Sequence, residues 1–310
     1  IEAAVVGGWT VVVKKGEFQA GALAVYLEID SWVPHDLAPF LSKGSEPREF
    51  NGVRGERLRT VKLRGTVSQG LLIPATGTFS EGTDMTEALG IQKWEVPIPA
   101  QLAGDVGGPF PSVIPKTDQE RIQNLTEQLK EWQGNESFVW EVTEKLDGSS
   151  MTVFVNGESE GVCSRNWDLK ETKGNTLWRV ARQDQLIEKL RNTGRNLALQ
   201  GELIGEGIQG NKYGIKGQKF YLYDIFDIDQ GDYLTPNERR IFADKYNINH
   251  VPLVSVGFVI QEFVTGLLNM AEGKSVLNPR SEREGLVFKS HKFGGPSFKA
   301  ISNKWLLKNE

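Results

Sequence analysis

Cysteine is almost absent: Cys163 is the single thiol in 310 residues. That excludes an internal disulfide and suits a chain kept in a reducing, intracellular compartment. Histidine is nearly as scarce, and His35, His250 and His291 lie too far apart to form a zinc site with one cysteine. Long apolar runs are missing too. The longest, such as WTVVV and GLLI, fall far short of the roughly 20 residues a membrane helix needs, so no membrane partner is expected. Charge of one sign does not dominate, since 36 Lys and Arg stand against 40 Asp and Glu, a net -4. Such a balance argues against indiscriminate nucleic-acid binding but leaves room for a local basic patch. There is no internal repeat, no low-complexity tract and no initiating methionine. The chain opens at Ile1 in a strand-like run, which predicts residues upstream and leaves the organelle open.

With 39% hydrophobic residues, the chain can build cores for two ordinary domains. Its first hundred residues read as short strands, EAAVV, WTVVVKK, ALAVYLEI and QGLLIPA, separated by Gly and Pro at spacings typical of a small barrel or sandwich. Residues 97–115 hold five prolines, a composition that does not sustain an element interior. The domain boundary is placed there, giving 1–108 and 109–310. Beyond it, TDQERIQNLTEQLKEW predicts one amphipathic helix over 117–132, with a Thr117/Glu120 capping box and apolar residues at 122, 125, 129 and 132. Strands are predicted at 138–145, 151–155, 197–204, 219–226, 285–289 and 297–301. Helices are expected at about 176–192 and at 236–246, the latter opening with the Thr235/Glu238 box. Irregular mixing of the two types gives an α+β fold.

GEGIQG, with Gly205, Gly207 and Gly210, spells G-x-G-x-x-G after a strand, and Asp227 and Asp229 lie near the distance of a ribose-binding acid. A dinucleotide site needs a helix directly after that turn. NKYGIKGQKFYLYD follows instead, so a glycine-rich loop between strands is expected.

KLDGS at 145–149 is weak evidence by itself, since a hairpin turn accounts for it. Five further segments follow in order: SRNW from 164, GELIGEG from 201, FYLYDIFD from 220, REGLVFK from 283 and SFKAISNKWLLK from 297. As a set they resemble the covalent nucleotidyltransferases, and in detail the ATP-dependent RNA ligases, the subgroup represented by the Deinococcus and Naegleria enzymes. The resemblance spans essentially the whole chain. It implies an N-terminal OB-like β-barrel followed by a nucleotidyltransferase, ATP-grasp-like ligase domain of antiparallel sheets with flanking helices. It also implies ATP, Mg2+ or Mn2+, and RNA carrying 5'-phosphate and 3'-hydroxyl ends, as in a nicked duplex, handled by a monomer.

Lysine chemistry agrees. A lysine at a strand end can attack an α-phosphorus and form a lysyl-AMP phosphoramidate, dividing one hard transfer into easier ones. At a pKa near 10.4 only about one lysine in 2,500 is neutral at pH 7, so the site has to lower it. Lys145 is the expected nucleophile, and Lys289 and Lys299 are the cations expected to depress its pKa and to stabilise phosphate oxygens. Asp147 and Glu284, acids beside a triphosphate, are expected to organise metal, and Glu202 joins them. From the resemblance, Glu202 and Arg165 form a ribose-contacting pair and Tyr223 stacks on adenine. Glu144 is placed at the base because it precedes Lys145. Several relatives carry two lysines one residue apart where this chain has Lys299, Ala300 and Ile301; Lys304 is a distant substitute.

The densest basic run is REFNGVRGERLRTVKLRG at 48–65, six Lys and Arg against two Glu, a local +4. Arg57, Arg59, Lys62 and Arg64 are its RNA-binding candidates, pointing together if the strand bulges near Thr60. Two alternatives are a DNA ligase-like sealing enzyme and an inactive RNA-binding protein with the ligase fold. The first usually carries an OB module after the catalytic domain, and none follows residue 299. The second is disfavoured because every expected charged residue is present.

Overall fold

A computed structural model describes residues 1–77, 79–95 and 104–309. The chain divides into two units, residues 1–97 with 306–310, and residues 98–305.

The first unit is built from short strands: β1 (Glu2–Val6), β2 (Trp9–Val13), β3 (Ala24–Leu27), β4 (Ser31–Pro34), β5 (Arg48–Phe50), β6 (Val53–Arg57), β7 (Val61–Leu63), β8 (Thr66–Ser68), β9 (Leu71–Pro74) and β10 (Gln92–Lys93). They pair antiparallel as β1-β2, β3-β9, β7-β8 and β10-β4-β6-β5. The alternation in WTVVV buries Val11 and Val13 against Leu72. At the β7-β8 turn Arg64 and Gly65 have φ of 47° and 91°, the two positive values that a tight two-residue hairpin with the right twist requires.

The second unit holds β11 (Val106–Pro109), β12 (Glu120–Arg121), β13 (Trp140–Lys145), β14 (Ser149–Asn156), β15 (Ser159–Cys163), β16 (Trp167–Leu169), β17 (Leu197–Gly205), β18 (Gln218–Asp227), β19 (Asp232–Tyr233), β20 (Leu253–Phe258), β21 (Gly285–Ser290) and β22 (Ser297–Ile301). They form a seven-stranded sheet, β11-β16-β15-β14-β17-β18-β19, and a five-stranded sheet, β12-β22-β21-β13-β20. Only β12 and β22 run parallel among the described pairs. β11 lies inside the 97–115 stretch and spans the expected division between 108 and 109. Its pairing with β16 places those residues in the second unit, and as an edge strand it tolerates Pro109. Residues 97–103 of that stretch lie outside the described residues.

Two predicted helices are broken. Over 117–132 the structure has a 3-10 turn at Ile122–Asn124 and a helix at Thr126–Trp132 only, because Glu120 and Arg121 pair with β22 instead of starting a helix. The apolar stripe survives, with Ile122, Leu129 and Trp132 in the core. Over 176–192 there are two helices, Thr176–Gln183 and Leu186–Arg191, separated at Gln185 with φ 53°. The helix Pro236–Lys245 forms with both hydrogen bonds of the Thr235/Glu238 box.

Each sheet buries one face beneath helices. Leu197, Leu199 and Leu203 of β17 pack with Trp178, Leu190 and Phe242; Val142, Leu286 and Phe298 pack with Leu267 and Trp132. The opposite faces carry polar groups, and a register break places two of them. Gln200 pairs with Asp224 but Gly201 with Leu222, so Tyr223 is an extra residue in β18 and the strand twists locally. Consecutive residues Tyr223 and Asp224 both find side-chain partners on this polar side.

One buried cation ties the sheets together. Arg239, 1% exposed, leaves the helix Pro236–Lys245 to meet Glu141 on β13 and Asp224 on β18, the latter at 3.5 Å. Its Nε also donates to His250 Nε2 at 3.0 Å, an acceptor because burial and the Arg239 charge push that imidazole down to about 3. Removing one member of such a group strands the others without compensation, at a cost of about 3–5 kcal/mol. Arg239→Met should therefore lower the melting temperature by roughly 10 °C. An unchanged thermal unfolding curve would show that the cluster does not hold the sheets together.

Candidate active site

The KLDG turn is where the chain passes from one sheet to the other: β13 ends at Lys145 and β14 starts at Ser149. Leu146 anchors it from below with Ile204 and Tyr213. Gly148 is required by space, since a Cβ there would lie 2.4 Å from the Leu203 carbonyl oxygen and 2.6 Å from Ile204 Cγ2. Its N–H donates to Glu202 Oε1 at 3.0 Å, and the Asp147 N–H donates to the Tyr213 hydroxyl at 2.6 Å. The two residues after Leu146 are both fastened through their backbone N–H groups.

Alternation along β13 sends Glu141, Thr143 and Lys145 to one face and Val142 and Glu144 to the other. Cross-strand partners share a face, so Lys289 opposite Glu141 and Lys299 opposite Val287, itself opposite Thr143, lie on the Lys145 side. Glu144 does not. Its buried carboxylate accepts the Val276 N–H at 2.7 Å, and burial raises its pKa. The expected contact with the base therefore cannot use this side chain.

Lys145 Nζ donates to Glu284 Oε1 at 2.7 Å. Burial pushes the amine down, but Glu284, Glu202 and Asp147 together outweigh it and hold it above the ordinary lysine value. The expected depression by Lys289 and Lys299 is not what the charges produce. Lys289 is bound to Asp224 Oδ2 at 2.5 Å and donates to the Tyr223 carbonyl at 2.7 Å. Lys299 bears the cost of crowding itself: burial, then Lys145, then Arg121 push it down to about 8. Lys289 is likewise pushed down to about 8, chiefly by burial.

Arg165, expected with Glu202 at the ribose, binds Asp118 at 2.6 Å. The Tyr223 hydroxyl donates to Thr117 Oγ1 at 3.0 Å, and Lys289 Nζ lies 5.5 Å from the ring centroid. For metal, burial first and then Asp147 raise the pKa of Glu284, and burial, Glu284 and Asp147 raise that of Glu202, so the three acids stand close together. Glu284 Oε2 is buried with no hydrogen-bond partner. Among the described residues no three Asp, Glu, His or Cys side chains form a ready metal cage. Three neighbouring acids and an orphaned carboxylate oxygen fit a divalent ion that completes its shell with water and phosphate oxygens.

Lys212 and Tyr213, which the sequence offered only as part of a glycine-rich loop, turn out to clasp the catalytic turn. Lys212 pairs with Asp147 and stands 4.8 Å from the Trp305 ring centroid. The loop contains no helix beyond a short 3-10 turn at Gln209–Asn211, so the dinucleotide fingerprint lacks its essential element. Asp224 was hidden by the β18 register break, and Thr117 and Asp118 by the helix expected there.

In the first unit the basic run is not one bulged strand. β6 stops at Arg57 and β7 starts at Val61. Arg57 turns to Asp30 at 2.5 Å and lies 3.9 Å from the Trp94 ring centroid, which removes it from the candidate RNA face. Arg59, Lys62 and Arg64 are exposed on or beside the β7-β8 hairpin.

Glu202 supplies a stability test. Its folded pKa is raised from 4.5 to about 8, by burial first and then by Glu284 and Asp147 against Lys145. Between those values the folded form keeps a proton that the unfolded chain has lost, so stability falls as pH rises through the window. Glu202→Gln removes this dependence. Its melting temperature should gain on the wild type as pH goes from 4.5 to 8; a constant difference would refute the raised pKa.

A family model described as RNA ligase matches residues 138–301, and an OB-fold domain model matches residues 1–75. Solved structures of Naegleria gruberi RNA ligase are similar over 99% of this chain at 48% identity. They include the protein with PPi, TM-score 0.89, covering 92% of that chain. A mutant with ATP and Mn and another with AMP and Mn each have TM-score 0.90 and cover 92% of that chain. A search of curated protein sequences returns no match. Two sheets joined through a lysine turn, with the cations and carboxylates gathered on their facing sides, are thus found where the family's own signature lies: the chain belongs to the RNA ligase family.

Proposed function

We propose that this chain is an ATP-dependent RNA ligase that seals 3'-hydroxyl and 5'-phosphate ends of RNA, and that Lys145 carries AMP between steps. The observation that supports it most is the Lys145 amine hydrogen-bonded to Glu284 at 2.7 Å, on the sheet face shared with Lys289 and Lys299. Lys145 gives up its proton along that bond, toward a carboxylate whose pKa burial raises. The freed amine attacks the α-phosphorus of ATP; an N–P bond forms and pyrophosphate leaves. An RNA 5'-phosphate oxygen then attacks the same phosphorus and the lysine departs. Finally a 3'-hydroxyl attacks the RNA 5'-phosphorus and AMP is released.

Lys289 and Lys299 offset negative charge on the transferred phosphate. Tyr223 offers its ring to adenine, with its hydroxyl fixed by Thr117. Asp147, Glu202 and Glu284 would hold Mg2+ or Mn2+, which supplies positive charge to screen the carboxylates and the triphosphate. The buried thiol of Cys163 suits a reducing intracellular compartment. A nicked duplex is the preferred substrate in this reading, because two ends must be held against one lysine.

Intact-mass measurement after incubation with ATP and Mn2+ should show one added AMP, absent in Lys145→Ala. An adduct that persists in that variant sinks the assignment of the nucleophile.

For the exposed hairpin, neutralising Arg59, Lys62 and Arg64 together to Gln should leave adduct formation near wild type but weaken RNA binding. The slope of log affinity against log salt should fall by roughly one for each RNA phosphate that is no longer neutralised. An unchanged slope would assign RNA binding elsewhere.

A further inference from the structure

Asp147 meets a cation of its own. Lys212 reaches it from the loop 206–217 between β17 and β18, and its ammonium pairs with Oδ2 of that carboxylate. The two side chains are only 28% and 13% exposed, so water and salt screen the pair less than a surface one. The loop is held independently of that pair: the Lys212 carbonyl accepts from Asn278 Nδ2 at 2.7 Å and from Ser281 Oγ at 2.6 Å, and the Tyr213 hydroxyl accepts the Asp147 N–H. On its other side the ammonium stands 4.8 Å from the Trp305 ring centroid. An aromatic face holds a cation without neutralising it, which gives Lys212 a place to stay when another ion claims the carboxylate. Lys304, beside Trp305 in the chain, is 72% exposed and turns to Glu272 at 3.3 Å, so Lys212 is the cation that Asp147 meets.

We propose that Lys212 sets the divalent-metal affinity of the site: its ammonium holds Asp147 until a metal ion displaces it, and the Trp305 ring then retains it. The proposal rests on the ligase reading above, in which Asp147, Glu202 and Glu284 hold Mg2+ or Mn2+. With Lys145 on Glu284 and Lys212 on Asp147, two of those three acids already carry a cation. A metal ion arriving alone has to break the Lys212 pair and leaves an ammonium beside a dication, a repulsion that costs affinity. Nucleotide changes the balance. A triphosphate brings negative charge that both the metal and the released ammonium can meet, so metal and nucleotide bind better together than apart.

Mn2+ binding to the nucleotide-free protein, followed by the paramagnetic resonance signal of the free ion, tests this. Lys212→Met should bind Mn2+ about tenfold more tightly than wild type, the effect of removing one competing charge-assisted pair, and Lys212→Arg should stay within a few-fold of wild type. Asp147→Asn added to Lys212→Met should erase the gain. Unchanged Mn2+ affinity in Lys212→Met overturns the proposal, and so does a gain that survives loss of the Asp147 carboxylate. Should Lys212→Met not fold, acetylation of the wild type decides: added Mg2+ should speed modification of Lys212 as it leaves its carboxylate, and an unchanged rate refutes the exchange. Failure of the wild-type protein to form a lysyl adduct with ATP would sink the ligase reading itself. A wild type that forms the adduct beside a Lys212→Met variant of unaltered Mn2+ affinity sinks the Lys212 assignment alone.

Discussion

A lysine held among carboxylates is the constraint on which the catalytic unit depends. Glu284, Glu202 and Asp147 keep the Lys145 amine charged in spite of burial, and the lysine in turn tempers the repulsion among those acids. Neither sign is tolerable alone in a partly buried gap. Cations and anions therefore had to arrive together from distant parts of the chain: β13 and β21 bring the pair, and β17 brings Glu202. A resting site of this kind is balanced but not reactive. Phosphate and metal charge have to disturb the balance before the amine can lose its proton, which links reactivity to the presence of substrate.

A second buried group of charges, centred on Arg239, works on a different scale. It shares Asp224 with Lys289, so the cluster that braces the two sheets also orients one of the phosphate-side lysines. Stability and site geometry are coupled through a single carboxylate. Tyr223 takes part through its backbone, since its carbonyl accepts from Lys289. The register break in β18 thus sets three things at once: a ring, a carbonyl and a counter-ion.

Much of this was legible from the residues. Strand alternation and turn chemistry placed nearly every long strand, and the Thr235/Glu238 box placed a helix start. The lysine turn was visible only through the five segments that follow it in order, since a hairpin alone accounts for KLDGS. Less was legible wherever a long-range partner overrode local preference. Thr117 and Glu120 spell a capping box, but β22 offered Glu120 and Arg121 a ladder, and the ladder won. Glu144 is turned away from the site by parity along WEVTEK, a signal the residues do carry. Arg57 could not have been separated from Arg59, Lys62 and Arg64, because its partners Asp30 and Trp94 are distant in sequence. The break in β18 has no sequence signature at all.

The short parallel pair between β12 and β22 also has a consequence for synthesis of the protein. Gln119 and Ser297, its neighbouring contact, are 178 residues apart, and closing so long a loop is entropically late. A ribosome making this chain will have emitted the lysine turn, the seven-stranded sheet and most helices well before Lys299 appears. Until then the nascent polypeptide has a nucleophile but only part of its charge seat. Activity therefore comes on with the last segment of the catalytic unit, and a prematurely terminated product lacks the means to capture nucleotide.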